Sequence, residues 1–530
     1  MPLLLCEIAL NLDEDEALLP ELIGRELGVA VGTLNNLRIV RRGIDARRKS
    51  RVLRVFNVEF EVTDEDALLQ RHAGHPRLQK VKTLELPQIV PLTRPWRVLV
   101  VGMGPAGLFA AWRLARGGAE VTLLERGRRV ETRVQDVRRF RSEGVFDPDS
   151  NIAFGEGGAG TFSDGKLTTR VKNPWHRQVL QTLVDCGAPE AILVDAKPHV
   201  GTDRLRLVLI RFRQMLINLG VAIRYETRLS GLKVKAGRVT GGVVNGGEEL
   251  PCDSLVLACG HSARDTYEML LAAEVAMEAK PFAVGVRVEH PAGLINAIQY
   301  GHERHPRLPT AEYALTWNDP QTGRGVYSFC MCPGGEVVVA SSEPGGLVVN
   351  GMSYLRRDGD LSNSALVVAV RPEDFGGQDA LAGMRFQRRW EQQAFKLGGG
   401  DFCAPAQNLL AFLGKGKGPL CSTCRPGVRE AELCEALPAV VTTGLRRALP
   451  HFDRRMRGFV TAEATLVGIE TRTSAPLRIL RGENGQSVSH AGLFPAGEGA
   501  GYAGGIMSAA LDGLNIGEHI IRSVPTGSYR

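Results

Sequence analysis

RVLVVGMGPAGLFAAWRLARGGAEVTLLE, residues 97–125, decides the fold. Residues 97–101 form a short, valine-rich apolar run of the kind that makes a buried parallel strand, and they lead straight into Gly102, Gly104 and Gly107 at GxGxxG spacing. A helix is predicted next, because Leu108, Ala111, Leu114 and Ala115 recur at helical spacing and Gly117 and Gly118 stop the run. Residues 120–124 then return as a second strand that ends at Glu125.

Each glycine has a physical task in this unit. Gly102 makes the tight turn, Gly104 lets a pyrophosphate approach the backbone, and Gly107 lets helix and strand pack closely. Free amides at the start of the helix that opens with Pro105 and Ala106, together with its dipole, favour negative charge. Glu125 lies 18 residues beyond Gly107, at the strand tip, where a carboxylate can accept hydrogen bonds from both hydroxyls of an adenosine ribose. A 2′-phosphate is disfavoured beside that acid. Strand, glycines, helix, strand and terminal acid in this order predict a dinucleotide site.

A chain of 530 residues is too long for one core, and two or three domains are expected. No run approaches the 18 or so apolar residues of a membrane span, and acidic residues follow Leu12 where a secretory signal would need a cleavage site, so a soluble cytoplasmic protein is expected. Ten scattered cysteines do not make a disulfide framework. Cys421 and Cys424 have CxxC spacing, which suits a redox disulfide, half a zinc site, or a loop with two thiols; no second CxxC exists, and no metal is expected. The net charge of +7 permits an acidic ligand without indicating a nucleic-acid enzyme.

Residues 1–90 read as a separate β-α-β-β-α-β domain of ferredoxin-like order. Its strands are expected at residues 3–10, 34–44, 51–62 and 78–86, its helices at 14–27 and 64–72, and Pro87 and Pro91 make the linker. RIVRRGIDARRKSR, residues 38–51, is the densest basic cluster. It lacks aromatic residues to stack bases, so a solvated hairpin or a contact with the neighbouring domain is expected, and nucleic acid is not.

NIAFGEGGAGTFSDGKLTTR, residues 151–170, places five glycines within residues 155–167, a density that suits backbone pressed against a flat ligand. Lys166 is the charged group expected to face it. An amphipathic helix is predicted within 199–220, followed by strands near 221–225, 232–234, 239–244 and 251–259. The last ends in Cys259 and Gly260, suiting a strand that closes the sheet beside the ligand. Residues 275–425 carry aromatics, prolines and short β runs at 281–288, 326–332 and 336–341, with little helical period before Ala380, and read as an inserted substrate domain. From residue 426 the chain is expected back in the nucleotide fold, through an amphipathic stretch near 440–449. In GLFPAGEGAGYAGGIMSAALDGLNIGEHII, residues 492–521, Glu498 sits in a glycine-dense turn and a helix starts near Gly505. A carboxylate for sugar-like hydroxyls and a helix dipole for an electron-rich ring suit a reduced flavin.

VVGMGPAGLFAA, FGEGGAGTFSDGKL, HVGTDRL, CMCPGGEVV, TRTSAPLRI and FPAGEGAGYAGGIMSAALDG, with RRGIDARRKS near the amino terminus, together resemble the bacterial FAD-dependent dehydrogenases known by their cofactor alone. The resemblance implies an α/β fold: an FAD-binding, Rossmann-like domain of glutathione-reductase type (residues 95–274 and 426–530), an inserted β-rich substrate domain (275–425) and the ferredoxin-like domain. It also implies that Gly102, Gly104, Pro105, Ala106, Gly107, Glu125 and Arg126 bind the ADP half of FAD. Gly157, Gly158, Ala159, Gly160, Thr161 and Lys166 would border the flavin, with Cys259 and Gly260 beside the cofactor. Gly497, Glu498, Gly501, Gly504, Gly505 and Ile506 would hold the ribityl chain and ring. PLCSTCRP, residues 419–426, departs from the family and could supply a thiol partner for the flavin.

Only one full GxGxxG with its acid is present, so NADPH or NADH is expected as a transient visitor or replaced by another donor, including a protein electron donor. Lys166, His199, Arg472 and Tyr502 are the catalytic candidates within the matched motifs. Arg472 could hold a substrate carboxylate or donate a proton, or form a structural salt bridge beneath the flavin; for His199 the alternative is a structural role at its turn. The expected activity is hydride transfer between flavin N5 and a small organic substrate, at a C–C or C–N bond. A flavin monooxygenase and a flavin-bound RNA-associated protein are the alternatives.

Overall fold

The computed structural model describes residues 2–81, 88 and 91–524. Pro87 and the far end of the strand expected at 78–86 lie outside the described residues.

Around the opening stretch, Arg97–Val101 and Glu120–Leu124 are adjacent parallel strands joined by the helix Pro105–Arg116. They sit inside a five-stranded parallel sheet in the order Leu493–Pro495, Ser254–Leu257, Arg97–Val101, Glu120–Leu124, Ala222–Arg224. Both faces of such a sheet are covered, which is why Val98 to Val101 are all buried with no polar alternation. On one face the helix Ile506–Ser523 lies along Pro105–Arg116. Their approach depends on Gly513, whose Cβ would stand 2.0 Å from the Ala106 carbonyl oxygen. On the other face a three-stranded antiparallel meander, Leu229–Lys235, Arg238–Val244 and Glu248–Pro251, buries Leu229, Val239 and Val244 against Leu99 and Leu255.

Residues 282–470 build a second layer around a seven-stranded mixed sheet, in the order Thr316–Asn318, Gly325–Cys332, Leu361–Val370, Phe282–Pro291, Thr465–Glu470, Ala404–Asn408, Val428–Glu430. This corrects the expected return to the nucleotide fold at residue 426. Thr465–Glu470 pairs with Phe282–Pro291, and the amphipathic helix Ala439–Arg455 packs its Gly444 onto Val368 of the same sheet. The periodicity found the helix, but not which sheet its apolar face meets. A second helix missed by the sequence reading, Ala292–Tyr300, buries Ile295 and Ile298 in this core.

The amino-terminal sheet is antiparallel throughout, in the order Asn35–Asp45, Leu53–Glu61, Leu3–Asn11, Leu78–Lys80. Helices Leu19–Leu27 and Glu65–Arg71 contribute Leu19, Ile23, Leu27 and Leu68 to its core. The first helix starts later than residue 14: Asp15 caps a short 3-10 turn, and Pro20 fits only in the first turn of the helix that follows. The basic strand docks on the nucleotide unit, where the Arg42 amide donates to the Val194 carbonyl (2.8 Å), the Ala196 amide to the Arg42 carbonyl (2.8 Å), and Arg42 Nε to Asp195 (2.5 Å). None of the helices of the described residues is long and apolar enough to cross a membrane.

Candidate active site

A cavity of about 380 Å³ runs from the carboxyl ends of the parallel strands to the face of the seven-stranded sheet. At the strand end it is lined by Gly102, Gly104, Pro105 and Ala106, and by Glu125 and Arg126 at the next strand tip. Gly102 holds φ +100°, and a Cβ there would be 2.3 Å from the Ala258 carbonyl oxygen, so its lack of a side chain serves the neighbouring strand as well as the turn. Gly107 stands behind the wall; its Cβ would strike the Gly102 carbonyl oxygen at 1.8 Å. Gly104 is different, because a Cβ there would meet nothing nearer than Gly158 Cα at 3.9 Å. That methyl-sized space, beside the unpaired amides that open a helix, is a cradle that fits a pyrophosphate.

Glu125 is buried and held by backbone amides: Met103 donates to Oε2 (3.0 Å), Gly127 and Gly155 to Oε1 (2.9 and 3.0 Å). Oε2, with a single donor, keeps acceptor capacity toward the cavity. Arg126 pairs with Asp149 and Asp265 and lies 4.1 Å over the Phe154 ring, so it lines the wall with its charge already matched. Cys259 and Gly260 also line the cavity, and burial pushes the Cys259 thiol up to about 12.

Of the glycine-rich loop, Gly158, Ala159, Gly160 and Lys166 line the cavity, whereas Gly157 and Thr161 face the helix Thr202–Asn218. The loop is held from behind by Arg133, which sequence reasoning did not single out. Its guanidinium, fully buried, donates to the carbonyls of Asn151 (2.8 Å), Ile152 (3.0 Å), Gly155 (3.2 Å), Glu156 (2.7 Å) and Gly158 (2.9 Å). Burial draws its pKa down to about 10, still charged at neutral pH. A signal was present: Arg133 interrupts an apolar stripe made by Val130, Val137 and Phe140.

At the closing end, Glu498, Gly504, Gly505 and Ile506 line the cavity at the start of the last helix. Gly497 and Gly501 face inward instead, toward Ala106 and Leu477. Burial raises the Glu498 carboxyl to about 7, against the lowering effect of the Gly505 amide and Lys280.

The four catalytic candidates separate. Lys166 lines the cavity, its Nζ donating to the Met331 carbonyl and lying 3.9 Å from Glu312. Arg472 also lines it, but its guanidinium is engaged by Glu391 (2.9 and 2.7 Å), Ser262 (2.9 Å) and Ser342 (2.6 Å). That geometry is the structural salt bridge, and it leaves no free fork for a substrate carboxylate. His199 does not reach the cavity: its Nε2 bonds the Leu355 carbonyl (3.0 Å), and burial, with Arg357, lowers its pKa. Tyr502 is likewise outside, its ring 3.7 Å from the Arg481 guanidinium and its hydroxyl accepting from the Arg481 amide (3.2 Å). No residue of the His199 motif, 199–205, lines the cavity, whereas the Tyr502 motif lines it through Glu498, Gly504, Gly505 and Ile506 instead.

The second layer supplies the remaining wall: Phe329 and Cys330 from the seven-stranded sheet, Asn350 from a two-stranded sheet (Glu336–Val339 and Val349–Met352) beside it, and Thr473 just past the strand Thr465–Glu470. Beneath it, Arg287 is fully buried and donates to Glu470 (2.6 Å), Asn350 (2.8 Å), Asn363 (2.8 Å) and the Cys330 carbonyl (2.9 Å). Cys421 is exposed and Cys424 packs in the core of that layer, and neither lines the cavity. Among the described residues no cluster of His, Cys, Asp and Glu could hold a metal ion.

Residues 281–473 match the family model of the FAD-dependent protein C-terminal domain, residues 100–157 that of an NAD(P)-binding Rossmann-like domain, and residues 2–62 a domain of unknown function. An uncharacterized protein of Clostridium beijerinckii is 45% identical over 520 residues, covering 97% of each chain. Similar solved structures include the flavin-dependent brominase Bmp2 (12% identity, 81% of this chain and 80% of that one, TM-score 0.36) and glycine oxidase from Bacillus cereus (12% identity, 81% and 95%, TM-score 0.33). The chain belongs to the family of FAD-dependent oxidoreductases with a Rossmann-like nucleotide-binding domain, and FAD is its cofactor.

Proposed function

We propose that the protein transfers a hydride between FAD and a small organic substrate, at a C–C or C–N bond. The observation that carries this reading is one continuous cavity, in which a dinucleotide-type end opens directly onto a wall contributed by the inserted layer. In this reading the chain divides into a ferredoxin-like unit (residues 1–90), an FAD unit of glutathione-reductase type (95–274 and 474–530), and the substrate unit between them.

Gly102, Gly104, Pro105, Ala106 and Glu125 hold the ADP half, with Gly107 behind them, and Glu498, Gly505 and Ile506 hold the other half. When bound, FAD supplies the hydride acceptor or donor. The chain supplies charge and proton handling. Lys166, tethered at the Met331 carbonyl, presents a positive charge to a substrate carboxylate or oxyanion. Glu498, raised to about 7, can hold or release a proton at its carboxyl near neutral pH. Arg472 holds Ser262 in the wall, and Glu391 and Ser342 behind it, rather than gripping substrate.

The test is an anaerobic incubation of the holoprotein with small unsaturated acids, amines and amino acids, and with NADPH or NADH. The flavin absorbance would be followed and products analysed by mass spectrometry. The reading expects substrates to gain or lose two hydrogens, matched to the flavin change, with any imine formed at a C–N bond recovered as the carbonyl compound of its hydrolysis. Products that carry an oxygen atom from labelled dioxygen, rather than from water, once air is admitted would overturn it in favour of a monooxygenase.

A further inference from the structure

Gly325–Cys332 ends in the sequence Cys330-Met331-Cys332, and the strand departs from regular pairing there, with a register shift between Phe329 and Cys332. Cys330 adopts φ +42°, a conformation that costs a non-glycine residue free energy and that clusters at functional sites. The shift turns Cys330 into the cavity wall. Cys332 is fully buried directly behind it, its Sγ 3.5 Å from the Cys330 carbonyl oxygen and 3.9 Å from the Arg287 guanidinium. Space for that sulfur is kept by Gly351, where a Cβ would come within 2.8 Å of it. Lys166 and Glu498 line the same cavity as Cys330.

From this arrangement we propose that Cys330 and Cys332 are a redox-active dithiol that exchanges an electron pair with FAD. On oxidation the two sulfurs join, and two thiol protons and one electron pair leave. FAD accepts the pair with protons and is reduced to its dihydro form; the reverse reaction returns two thiols. The proposal requires FAD in this cavity, and it does not depend on the bond at which an organic substrate reacts. The electrostatics favour Cys330 as the attacking sulfur: the hydrogen bond with Cys332, followed by Arg287 and Lys166, holds its thiol below the ordinary range, while that of Cys332 is raised. Cys421 and Cys424, at the spacing more familiar for redox pairs, have no access to the cavity.

The experiment is an anaerobic dithionite titration of FAD-loaded protein that has first been treated with oxidised glutathione and desalted. Wild type is expected to take up two electron pairs per bound FAD, and Cys330→Ser and Cys332→Ser one each. The wild type provides a second readout that requires no variant to fold. After the titration, quenching in an alkylating agent and peptide mass spectrometry should find both thiols alkylated, whereas before it the peptide carrying Cys330 and Cys332 should be two hydrogens lighter and unalkylated. Uptake of a single pair by the wild type, with both thiols alkylated before reduction, would overturn the proposal. A disulfide that persists after the flavin is fully reduced would overturn it too. Absorbance at the start reports whether FAD is bound, so failure of cofactor binding is distinguished from failure of the dithiol.

Discussion

Two glycines three residues apart show how differently one methyl group acts at the residue scale. A methyl at Gly104 fills open space at the cavity, whereas a methyl at Gly107 collides with the Gly102 carbonyl. Gly104→Ala is therefore expected to leave the thermal stability of the flavin-free protein within about 1 kcal/mol of wild type and to weaken FAD binding at least tenfold. Gly107→Ala should lower stability by about 1–3 kcal/mol or more through overpacking. Thermal melts of both apoproteins with FAD titrations check this; equal effects on the two would contradict it. A second expectation concerns Glu391, fully buried between Arg264 and Arg472. Burial opposes its ionisation, but Arg264 and Arg472 outweigh burial and hold the carboxyl at about 2 against an ordinary value of 4.5. Its folded pKa is depressed, so the stability it contributes is present above about pH 4.5 and is lost as pH falls toward 2. Wild type should lose more stability than Glu391→Gln across that window in chemical denaturation; parallel curves would contradict the assignment. At neutral pH the variant should be the less stable by about 3–5 kcal/mol, because the buried Arg472 guanidinium loses its paired carboxylate and Arg264 is left with Glu343 alone.

Among the elements, the glycine-rich loop depends on a residue outside it. Arg133→Lys keeps a charge but cannot reach five carbonyls from one planar group. We expect it to cost about 3 kcal/mol and to raise the proteolytic sensitivity of residues 151–165, measured by limited digestion without FAD. Unchanged digestion would mean that the loop holds itself. The strand–glycine–helix–strand unit was legible because its determinants are local: apolar runs, glycine spacing and a terminal acid. The Glu498 turn was legible for the same reason. Arg133, Arg287, Asn350 and Cys330 were not, since each acts on backbone or side chains distant in sequence, and pattern reading does not show which strands become neighbours. His199 and Tyr502 failed for the complementary reason. They lie in the right motifs, but their side chains point away from the cavity, toward Leu355 and Arg481.

In the whole molecule, one layer supplies the nucleotide end of the cavity and the other supplies its far wall, so neither sheet alone makes the site. The boundary expected at residue 426 placed Thr465–Glu470 in the wrong layer, because its pairing partner Phe282–Pro291 lies nearly 180 residues upstream. The amino-terminal unit is attached to the nucleotide unit through backbone hydrogen bonds at Arg42, and to the second layer through Val52, buried in its core, and Arg307, which donates to the Leu12 and Glu14 carbonyls. Asp195→Ala removes only a partly exposed ion pair and is expected to shift the melting free energy by less than about 1 kcal/mol; a larger loss would mean that the pair, rather than the backbone bridge, holds the units together. The most direct test of a cavity shared between the two layers is a crystal structure of the FAD complex. We expect the pyrophosphate at Gly104 and Gly158, the adenosine ribose at Glu125, and the flavin ring in contact with the wall that carries Cys330 and with Ile506. A flavin ring outside that wall, with no residue of the seven-stranded sheet touching it, would contradict the account.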